Sequence, residues 1–331
     1  MRAFVTGGTG FIGGRMVDRL LDDGWDVSAL VRSPERAARI KERGAALVQG
    51  DITEPDTFVP AIKGADAVLH LAAYYALGVD DREKMMRANV GGTESILRAA
   101  GDAGVPRILY CSSIAALGSG PEGSIGDETR AHHGDFPSIY EESKWFAHEA
   151  AQRLVSDGLP IVSVMPGAVY GPGDVSFVSV LLGLYARRRL IVCSFRVSYA
   201  SWVHVDDVVD GMARAVDKAP AGETYVLGGD NETIGGMLER IAPLTGIKPP
   251  RVWVPDWVTR ATMPLSPLIS RLLKQAPGAV RDGSRTLGGS VAFSSAKAER
   301  DLGYHFRSVE EGLPPYIEML KKSRASASSS S

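Results

Sequence analysis

Two side chains that could exchange a proton with a substrate stand four residues apart, Tyr140 and Lys144. They open an alanine-rich run, and residues i and i+4 of a helix lie on one face, so the phenol and the ammonium would project to one place. A tyrosine with an ordinary pKa of about 10 is a poor acid or base at neutral pH, and a neighbouring cation lowers that pKa. Chance also supplies Tyr and Lys at this spacing on solvated helices. The meaning of the pair therefore depends on the elements that would position it.

A second chemical signal is the glycine-rich segment Gly7–Gly14, which directly follows the apolar run Arg2–Thr6 and opens a helical pattern. Glycines at 7, 10 and 13 permit a tight turn, allow a pyrophosphate to approach backbone N–H groups, and let the helix pack on the strand. A helix N-terminus also favours negative charge. Strand, glycine turn and helix in this order indicate a dinucleotide site, the alternative being a tight turn and nothing more.

Further apolar runs alternate with helical patterns, which predicts an α/β protein with a Rossmann-type, doubly wound parallel sheet. Ligands bind at the carboxyl ends of the strands in such sheets, so Ser112 and Ser113, at the end of the fifth strand, are well placed to donate a hydrogen bond to a substrate oxygen. A serine in such a turn can equally cap the backbone. The predicted strands after the first are Trp25–Val31, Ala45–Gln49, Ala67–Leu71, Arg107–Ser112 and Leu159–Pro166.

The end of the second strand bears on the choice of cofactor. Folds that select NAD place an acid there to bond the ribose 2′-hydroxyl, whereas an arginine accommodates a 2′-phosphate. Val31 occupies the acid's place, and Arg32 follows with Ser33 and Arg36 within reach. This favours NADP(H) over NAD(H), the alternative being that Arg32 is a solvated charge.

Several motifs together resemble the extended short-chain dehydrogenase/reductase superfamily, the NAD-dependent epimerase/dehydratase family, and within it the dihydroflavonol 4-reductase-like branch. The resemblance spans nearly the whole chain to Leu320. The motifs are Thr6–Gly13, Asp51-Ile52, His70–Ala73, Asn89–Thr93, Ser113–Gly118, Tyr140 with Lys144, Pro166–Asp174, Ser201–Val208, Gly222–Gly229 and Phe293–Tyr304.

This resemblance implies a catalytic set of Ser113, Tyr140 and Lys144, and it selects Ser113 over Ser112. Tyr140 would exchange a proton with the substrate oxygen, Ser113 would hold that oxygen, and Lys144 would lower the tyrosine pKa and bond the nicotinamide ribose. Asp51 and Ile52 would lie against the adenine, the alternative being a cap on a helix. The implied cofactor-binding residues are Gly7, Thr9, Gly10, Phe11, Ile12, Arg32, Asp51, Ile52, Leu71, Ala72, Ala73, Lys144, Pro166 and Val169.

Other polar residues are assigned structural roles. His70 is expected to be a packed residue, and a structural role for Asn89 is at least as well supported as a catalytic one. His132 and His133 fall in a predicted loop from 118 to 137 and lack further ligands at metal spacing, so we expect both at the surface. His204 and Asp206, at i and i+2 of a predicted strand, would point apart and serve at a domain junction.

The resemblance also implies a domain organisation. Residues 1–166 would mainly form the NADP-binding domain, and residues 167–320 a smaller α/β substrate-binding domain from which strands or helices return to the Rossmann core. Residues 321–331, rich in Ser and Ala, are expected to be a disordered tail. A homodimer is possible by resemblance.

Two departures from the sugar-nucleotide enzymes of the family bear on the substrate. Those enzymes commonly carry Asn where this chain has Ala168, and an Arg-Asp pair where it has Ala200-Ser201, so expected ligands of a diphosphate are missing. Arg196 or Arg251 could supply the missing charge. Apolar residues of the C-terminal region could line a pocket or simply form core: Trp253, Val254, Trp257, Val258, Met263, Leu265, Leu268 and Ile269.

We therefore expect an NADPH-dependent reductase that acts on the carbonyl of an apolar or aromatic ketone or aldehyde. The alternatives are a nucleotide-sugar epimerase or dehydratase, and a regulator that binds NADP without turnover.

Composition supports a small-molecule partner. The 331 residues are 44% hydrophobic and 23% charged with a net charge of −2, and no basic cluster indicates nucleic-acid binding. Cys111 and Cys193 are the two cysteines, too few for a disulfide framework or a cysteine-based zinc site, and they fit a cytoplasmic protein. No apolar run reaches the roughly 18 residues of a membrane span.

Overall fold

The apolar runs become short strands in the computed structural model, which describes residues 1–75, 81–261 and 290–322. The predicted strands are found with ends within two residues of their expected bounds. The strands are β1 (Arg2–Thr6), β2 (Asp26–Val31), β3 (Ala46–Gln49), β4 (Ala67–His70), β5 (Ile108–Cys111), β6 (Ile125–Gly126), β7 (Ile161–Pro166), β8 (Ala168–Tyr170), β9 (Val192–Ser194), β10 (Tyr199–His204), β11 (Thr224–Leu227), β12 (Asp230–Thr233), β13 (Val252–Val254) and β14 (Ala292–Phe293).

Seven strands form one parallel sheet in the order β11-β7-β5-β4-β1-β2-β3. The strand order reverses between β1 and β4, and a crevice opens at such a switch point, outside the carboxyl ends of the strands. The turns after β1 and β4 border this crevice. The expected Rossmann-type sheet is confirmed.

Helices cover the sheet. In the described part of the chain, three short 3₁₀ segments (Pro34–Ala37, Pro55–Thr57 and Ile114–Leu117) and a π-helical turn (Arg87–Gly91) supplement them. The α-helices are α1 (Phe11–Asp22), α2 (Ala38–Glu42), α3 (Val59–Ile62), α4 (Arg82–Met86), α5 (Gly92–Asp102), α6 (Ile139–Ser156), α7 (Phe177–Ala186), α8 (Val205–Lys218), α9 (Ile234–Thr245), α10 (Asp256–Ala261), α11 (Ala296–Leu302) and α12 (Val309–Lys322).

Successive strand residues face opposite layers, as the period of two requires. Val5 packs with α1 and α8 on one face, and Phe4 packs with α3, α5 and α6 on the other. Burial on both faces explains why the strands of this sheet are apolar without alternation. In α6, Ala147, Ala151 and Leu154 recur at helical spacing and are buried against the sheet, which fixes the face that the first turn of the helix presents.

The C-terminal part builds a second core and also returns to the main sheet. A three-stranded sheet, β12-β10-β8, packs with α7, α9 and α12, while β11 joins the main sheet beside β7. The division at 166 stays a proposal. The segment predicted as a loop between 118 and 137 contains β6, which pairs in parallel with β14.

Candidate active site

The turn between β1 and α1 is built from glycines in close contact. Gly7 has φ +76°, and a Cβ atom there would lie 2.6 Å from the backbone nitrogen of Ala72. A Cβ atom on Gly13 would collide with the carbonyl oxygen of Gly7. Gly10 precedes α1 and offers no side-chain cap, so the first N–H groups of the helix, beginning with Phe11, point out of the turn without an intrahelical acceptor. This backbone can approach a phosphate closely.

The segment after β4 is held against this turn by a buried chain of polar groups. Thr6 Oγ1 accepts the Ala72 N–H (3.2 Å) and contacts His70 Nδ1 (2.7 Å), and His70 Nε2 contacts Thr93 Oγ1 (2.9 Å). Burial lowers the pKa of His70 to about 3, so the ring is neutral. His70 is thus a packed residue, and Leu71, Ala72 and Ala73 border the crevice beside Gly7.

The end of β2 presents Arg32 to solvent. Within the described ranges no hydrogen bond or ion pair joins its side chain to another residue, whereas Arg39 nearby is bound to Asp18 (2.7 Å). Ser33 Oγ donates to Glu35 (2.6 Å). Arg32 is therefore available to an anionic ligand.

Asp51 and Ile52 both have contacts within the protein. Asp51 Oδ1 accepts the backbone N–H and the hydroxyl of Thr53 (2.9 and 2.8 Å), which is a local turn and not a helix cap, because the next helical segment begins at Pro55 after Glu54 and has no side-chain cap. The Ile52 side chain lies against Gly92 at the start of α5. Their contact with an adenine stays a prediction.

Ser113 and Ser112, adjacent after β5, differ in environment. Ser113 begins the 3₁₀ segment Ile114–Leu117, and its Oγ accepts the Ala115 N–H (3.2 Å). Ser112 is buried, and its hydroxyl has no hydrogen-bond partner among the described residues. The 3₁₀ segment that Ser113 begins packs against α6, and hydrogen bonding by the Ser113 side chain opposes the burial that raises the pKa of Tyr140, so the structure brings these two predicted residues together.

The first turn of α6 is fixed by hydrogen bonds that the sequence does not reveal. Ser138 caps the helix by accepting the Glu141 N–H (3.2 Å). Ser143 Oγ donates to the Tyr140 carbonyl oxygen (2.7 Å) and accepts from Asn89 Nδ2 (2.9 Å). These bonds tie the turn that carries Tyr140 to the π-helical turn that carries Asn89.

Asn89 also holds the segment after β4. Its Oδ1 accepts the Tyr74 N–H (2.6 Å) and its Nδ2 donates to the Tyr74 carbonyl oxygen (3.0 Å). The next residue, Tyr75, packs edge-on against the Tyr140 ring, with centroids 4.9 Å apart. Asn89 is therefore structural, and Tyr75 is a site residue that sequence reasoning missed, although the Tyr74-Tyr75 pair directly after the His70–Ala73 motif was a usable signal.

Lys144 is buried one turn after Tyr140. Its Nζ donates to the Cys111 carbonyl oxygen at the end of β5 (3.2 Å) and lies 5.6 Å from the centre of the Tyr110 ring. Burial lowers the pKa of this ammonium. Lys144 and Tyr140 thus share a helix face at the carboxyl end of the sheet, as the spacing predicts.

The pKa of Tyr140 shifts in the direction opposite to the one expected from Lys144. Burial raises it well above the ordinary value of 10, the nearby Tyr75 adds to the increase, and Ser113 opposes it. Spacing alone could not show this, because the desolvation of the phenol depends on residues that are distant in the sequence. The phenol is fully protonated at neutral pH.

The expectation for the two loop histidines is half right. His133 is exposed, but only 2% of the His132 side chain is exposed. The prediction for His132 is wrong because Phe136 and Trp145 form an aromatic cluster around its ring, at 4.6 and 6.2 Å between centroids.

Pro166 and Val169 lie where the chain passes from the main sheet to the second one. Pro166 ends β7, and Val169 in β8 pairs with Val203 in β10. His204 ends β10 and accepts the Asp206 N–H (3.2 Å) as the N-cap of α8. The expectation that both residues share a strand is wrong, because the helix begins at 205.

Two of the described apolar residues of the C-terminal region, Trp253 and Trp257, differ in exposure. Trp253 packs against the second core under Arg196 (5.6 Å from the ring centre), while Trp257 is 72% exposed. Arg196 also donates to Glu239 (2.8 Å), and Arg251 is exposed. Val254 and Val258 are half-buried, and Met263, Leu265, Leu268 and Ile269 lie outside the described residues.

Within the described ranges, no cluster of three or more His, Cys, Asp or Glu side chains is arranged to hold a metal ion. Among the same residues, no helix has the length and apolar character needed to cross a membrane.

Comparison with known proteins places these features in a family. The NAD dependent epimerase/dehydratase family model matches residues 3–228. A 4-hydroxy-2-methyl-3-oxo-4-farnesyl-3,4-dihydroquinoline-1-oxide ketoreductase from Stigmatella aurantiaca is 32% identical over 95% of this chain and 95% of its own length. A Synechocystis protein that carries the provisional name dihydroflavonol 4-reductase is 30% identical over 94% of this chain and 92% of its own.

A solved structure, that of gox2253, is 34% identical with a TM-score of 0.83 and covers 97% of this chain and 98% of its own. The names of the two sequence relatives are those of reductases, a class of NAD(P)-dependent oxidoreductases. With a family model over more than half of its length and reductase relatives over nearly all of it, the chain belongs to the NAD dependent epimerase/dehydratase family, the extended short-chain dehydrogenases/reductases.

Proposed function

We propose that this protein is an NADPH-dependent reductase that converts the carbonyl of an apolar or aromatic ketone or aldehyde to an alcohol. The observation that carries the proposal is the convergence of Ser113, after β5, and Tyr140, in the first turn of α6, at the same carboxyl edge of the sheet that carries the glycine turn after β1. A proton donor and an oxygen-holding hydroxyl beside a dinucleotide turn are what carbonyl reduction requires.

The glycine turn fits a dinucleotide. Side chains at Gly7 or Gly13 would fill the space in which the turn closes on α1 and on Ala72, so the cradle exists only with glycine. When bound, the cofactor supplies the hydride. Residues from Thr9 to Ile12 would hold its pyrophosphate, and Arg32, exposed and without a protein partner in the described ranges, would hold a 2′-phosphate.

The chain's own residues would carry the proton and stabilise the charge. Ser113 donates a hydrogen bond to the substrate oxygen as negative charge develops on it. Tyr140, whose phenol is protonated at neutral pH, gives its proton to that oxygen. Lys144, whose ammonium is fixed to the Cys111 carbonyl, stabilises the phenolate that remains and bonds the nicotinamide ribose.

The substrate class follows from what the site contains and lacks. Ala168 and Ala200 stand where sugar-nucleotide enzymes carry polar and charged groups for a diphosphate, and Ala200 is buried. The aromatic edge of Tyr75 lies directly beside the Tyr140 phenol. Relatives named as a ketoreductase and as a dihydroflavonol 4-reductase match over nearly the whole chain. We therefore favour an apolar or aromatic carbonyl compound.

A substrate panel tests the proposal. NADPH oxidation is followed at 340 nm with hydrophobic ketones and aldehydes, and the same chain is assayed for conversion of UDP- and dTDP-sugars. Tyr140→Phe, prepared in the same way, measures any contaminating reductase. Turnover of ketones alone supports the proposal, and conversion of a nucleotide-sugar would replace it with the epimerase or dehydratase activity that the family also contains. NADPH binding with no turnover of any compound would favour a regulator.

A further inference from the structure

His132 is buried between the two segments that carry the proposed catalytic hydroxyls. On one side its ring lies against Gly118, where the 3₁₀ segment that starts after Ser113 ends, and a Cβ atom on Gly118 would be 2.8 Å from His132 Cδ2. On the other side its Nε2 is 3.1 Å from Oε1 of Glu141, the residue after Tyr140. One imidazole thus bridges the Ser113 segment and the first turn of α6.

The hydrogen bonds of His132 determine where its proton lies. The Gly134 N–H donates to Nδ1 (2.9 Å), so Nδ1 carries a lone pair and the hydrogen is on Nε2. Nε2–H therefore donates to Glu141. Burial lowers the pKa of His132, and the ring stays in this neutral, singly protonated form at neutral pH.

Glu141 is an unusual residue for its position. It lies in the first turn of a helix, where carboxylates are normally solvated, yet it is only 6% exposed. Burial of a carboxyl group has a free-energy cost unless a partner binds it, and His132 is the partner. Glu142, the next residue, instead binds Arg82 of α4 through two hydrogen bonds (2.9 and 2.6 Å). The first turn of α6 is thus held from both sides.

We propose that His132 and Glu141 are positioning residues whose hydrogen bond keeps the Ser113 and Tyr140 hydroxyls directed at the same substrate oxygen. This rests on the proposed reductase activity. The bond closes the segment 119–137 onto α6, and it acts on catalysis through Tyr140 and Ser113 without touching the substrate.

The experiment that tests this proposal compares two variants in which an amide side chain replaces His132. In His132→Gln the side-chain nitrogen can take the place of Nε2 and donate to Glu141, whereas His132→Asn is too short to reach it but can still accept the Gly134 N–H. We expect His132→Gln to keep kcat within about threefold of the wild type. His132→Asn should lower kcat about tenfold to a hundredfold, since a displacement of about 1 Å at a reacting group can cost on the order of 10² in rate. The NADPH Kd should not change in either.

Two substitutions of Glu141 provide the matching pair of variants. Glu141→Gln keeps an acceptor and should retain most of kcat, and Glu141→Leu should behave like His132→Asn. His133→Asn, at the exposed neighbouring residue, is the control for a His-to-Asn change in this segment that does not touch the hydrogen bond. Equal kcat in His132→Asn, Glu141→Leu and the wild type would overturn the proposal, as would a loss in His132→Gln equal to that in His132→Asn.

Amide hydrogen exchange separates this proposal from the proposed function, because it needs no substrate. Exchange of residues 113–118 and 138–146 should accelerate in His132→Asn and Glu141→Leu, but not in His132→Gln or His133→Asn. If the wild type reduces no ketone but the variants show this exchange pattern, the proposed reductase activity is wrong and the positioning role of the His132–Glu141 hydrogen bond stands. If the wild type reduces ketones and all variants keep its amide exchange and its kcat, only the positioning role of the His132–Glu141 hydrogen bond is wrong.

Discussion

Gly13 lies directly against the carbonyl oxygen of Gly7. A Cβ atom at position 13 would collide with that oxygen, so only glycine fits there. The contact joins the first turn of α1 to the end of β1, and Gly10 adds a hydrogen bond from its N–H to the same oxygen (2.9 Å). The direction in which the N–H groups of α1 point is therefore set by a contact between two glycines.

Gly13→Ala should weaken NADPH binding by more than tenfold, because the added methyl group must displace the turn that holds the pyrophosphate. Fluorescence titration with NADPH measures the effect. Gly91→Ala is the matched control, since a Cβ atom at Gly91 meets nothing within 4 Å. Similar NADPH Kd values for the two variants would contradict this account of the turn.

Ser113→Ala should lower kcat about 10²- to 10³-fold, because the substrate oxygen loses a donor where charge develops. Ser112→Ala serves as the control, since its buried hydroxyl has no partner in the described structure and should leave kcat nearly unchanged. Steady-state kinetics on the best ketone of the panel decides between them. A larger loss of kcat in Ser112→Ala than in Ser113→Ala would instead make Ser112 the donor to the substrate oxygen.

Tyr140→Phe should lower kcat about 10²- to 10⁴-fold, the usual contribution of general acid catalysis, with little change in NADPH affinity. Edge-on packing against Tyr75 does not involve the hydroxyl and should persist, so the circular dichroism spectrum and the melting temperature serve as controls for folding. Rates comparable to those of the wild type would overturn the assignment of the proton donor.

Arg32→Asp should raise the Kd for NADPH about tenfold to a hundredfold and change that for NADH much less, because only NADPH carries the 2′-phosphate. The same charge reversal at Arg98, which pairs with Glu94 on α5, controls for net charge. Equal effects on both cofactors would remove the argument for NADP(H).

Stability should depend on pH through Glu141, whose pKa burial raises to about 8 from 4.5. Between pH 4.5 and pH 8 the folded state keeps the proton of Glu141, whereas the unfolded state releases it. The stability that this protonated carboxyl group contributes is therefore complete below pH 4.5 and is lost as the pH rises toward 8. Relative to the wild type, Glu141→Gln should therefore gain stability from pH 5 to pH 8, by more than about 1 kcal/mol, since one pKa unit corresponds to about 1.4 kcal/mol.

Urea unfolding at pH 5 and pH 8 provides the measurement. Glu149→Gln, on the same helix and without a side-chain partner in the described ranges, shows what an ordinary Glu-to-Gln change does. Parallel pH curves for the wild type and Glu141→Gln would mean that the carboxyl is ionised throughout.

The parts that sequence predicts well are those determined by neighbours in the chain. Strands buried on both faces appear as short apolar runs, and the glycines after Thr6 show both a strand end and a helix start. Ser113 and Tyr140 meet because Ser113 lies just after a strand of the sheet and Tyr140 lies in the first turn of the helix that packs beside it. Their meeting follows once the fold is known.

The parts that sequence does not predict depend on contacts between distant segments. Asn89 reaches Ser143, 54 residues away, and no local pattern indicates that bond. His132 looks like a polar loop residue, and only the packing of Phe136 and Trp145 shows it to be buried. The direction of the Tyr140 pKa shift likewise depends on tertiary burial, which spacing along a helix cannot reveal.

The pairing of β6 with β14 has a consequence for assembly during synthesis. Ile125–Gly126 lies in the segment between Ser113 and Tyr140, but its partner, Ala292–Phe293, is made after nearly nine-tenths of the chain. Contacts so far apart in sequence form late, whereas the N-terminal sheet can begin to fold as it leaves the ribosome. The strand pair beside the proposed catalytic hydroxyls can therefore form only after residue 293 has been made, long after the glycine turn of the proposed dinucleotide site.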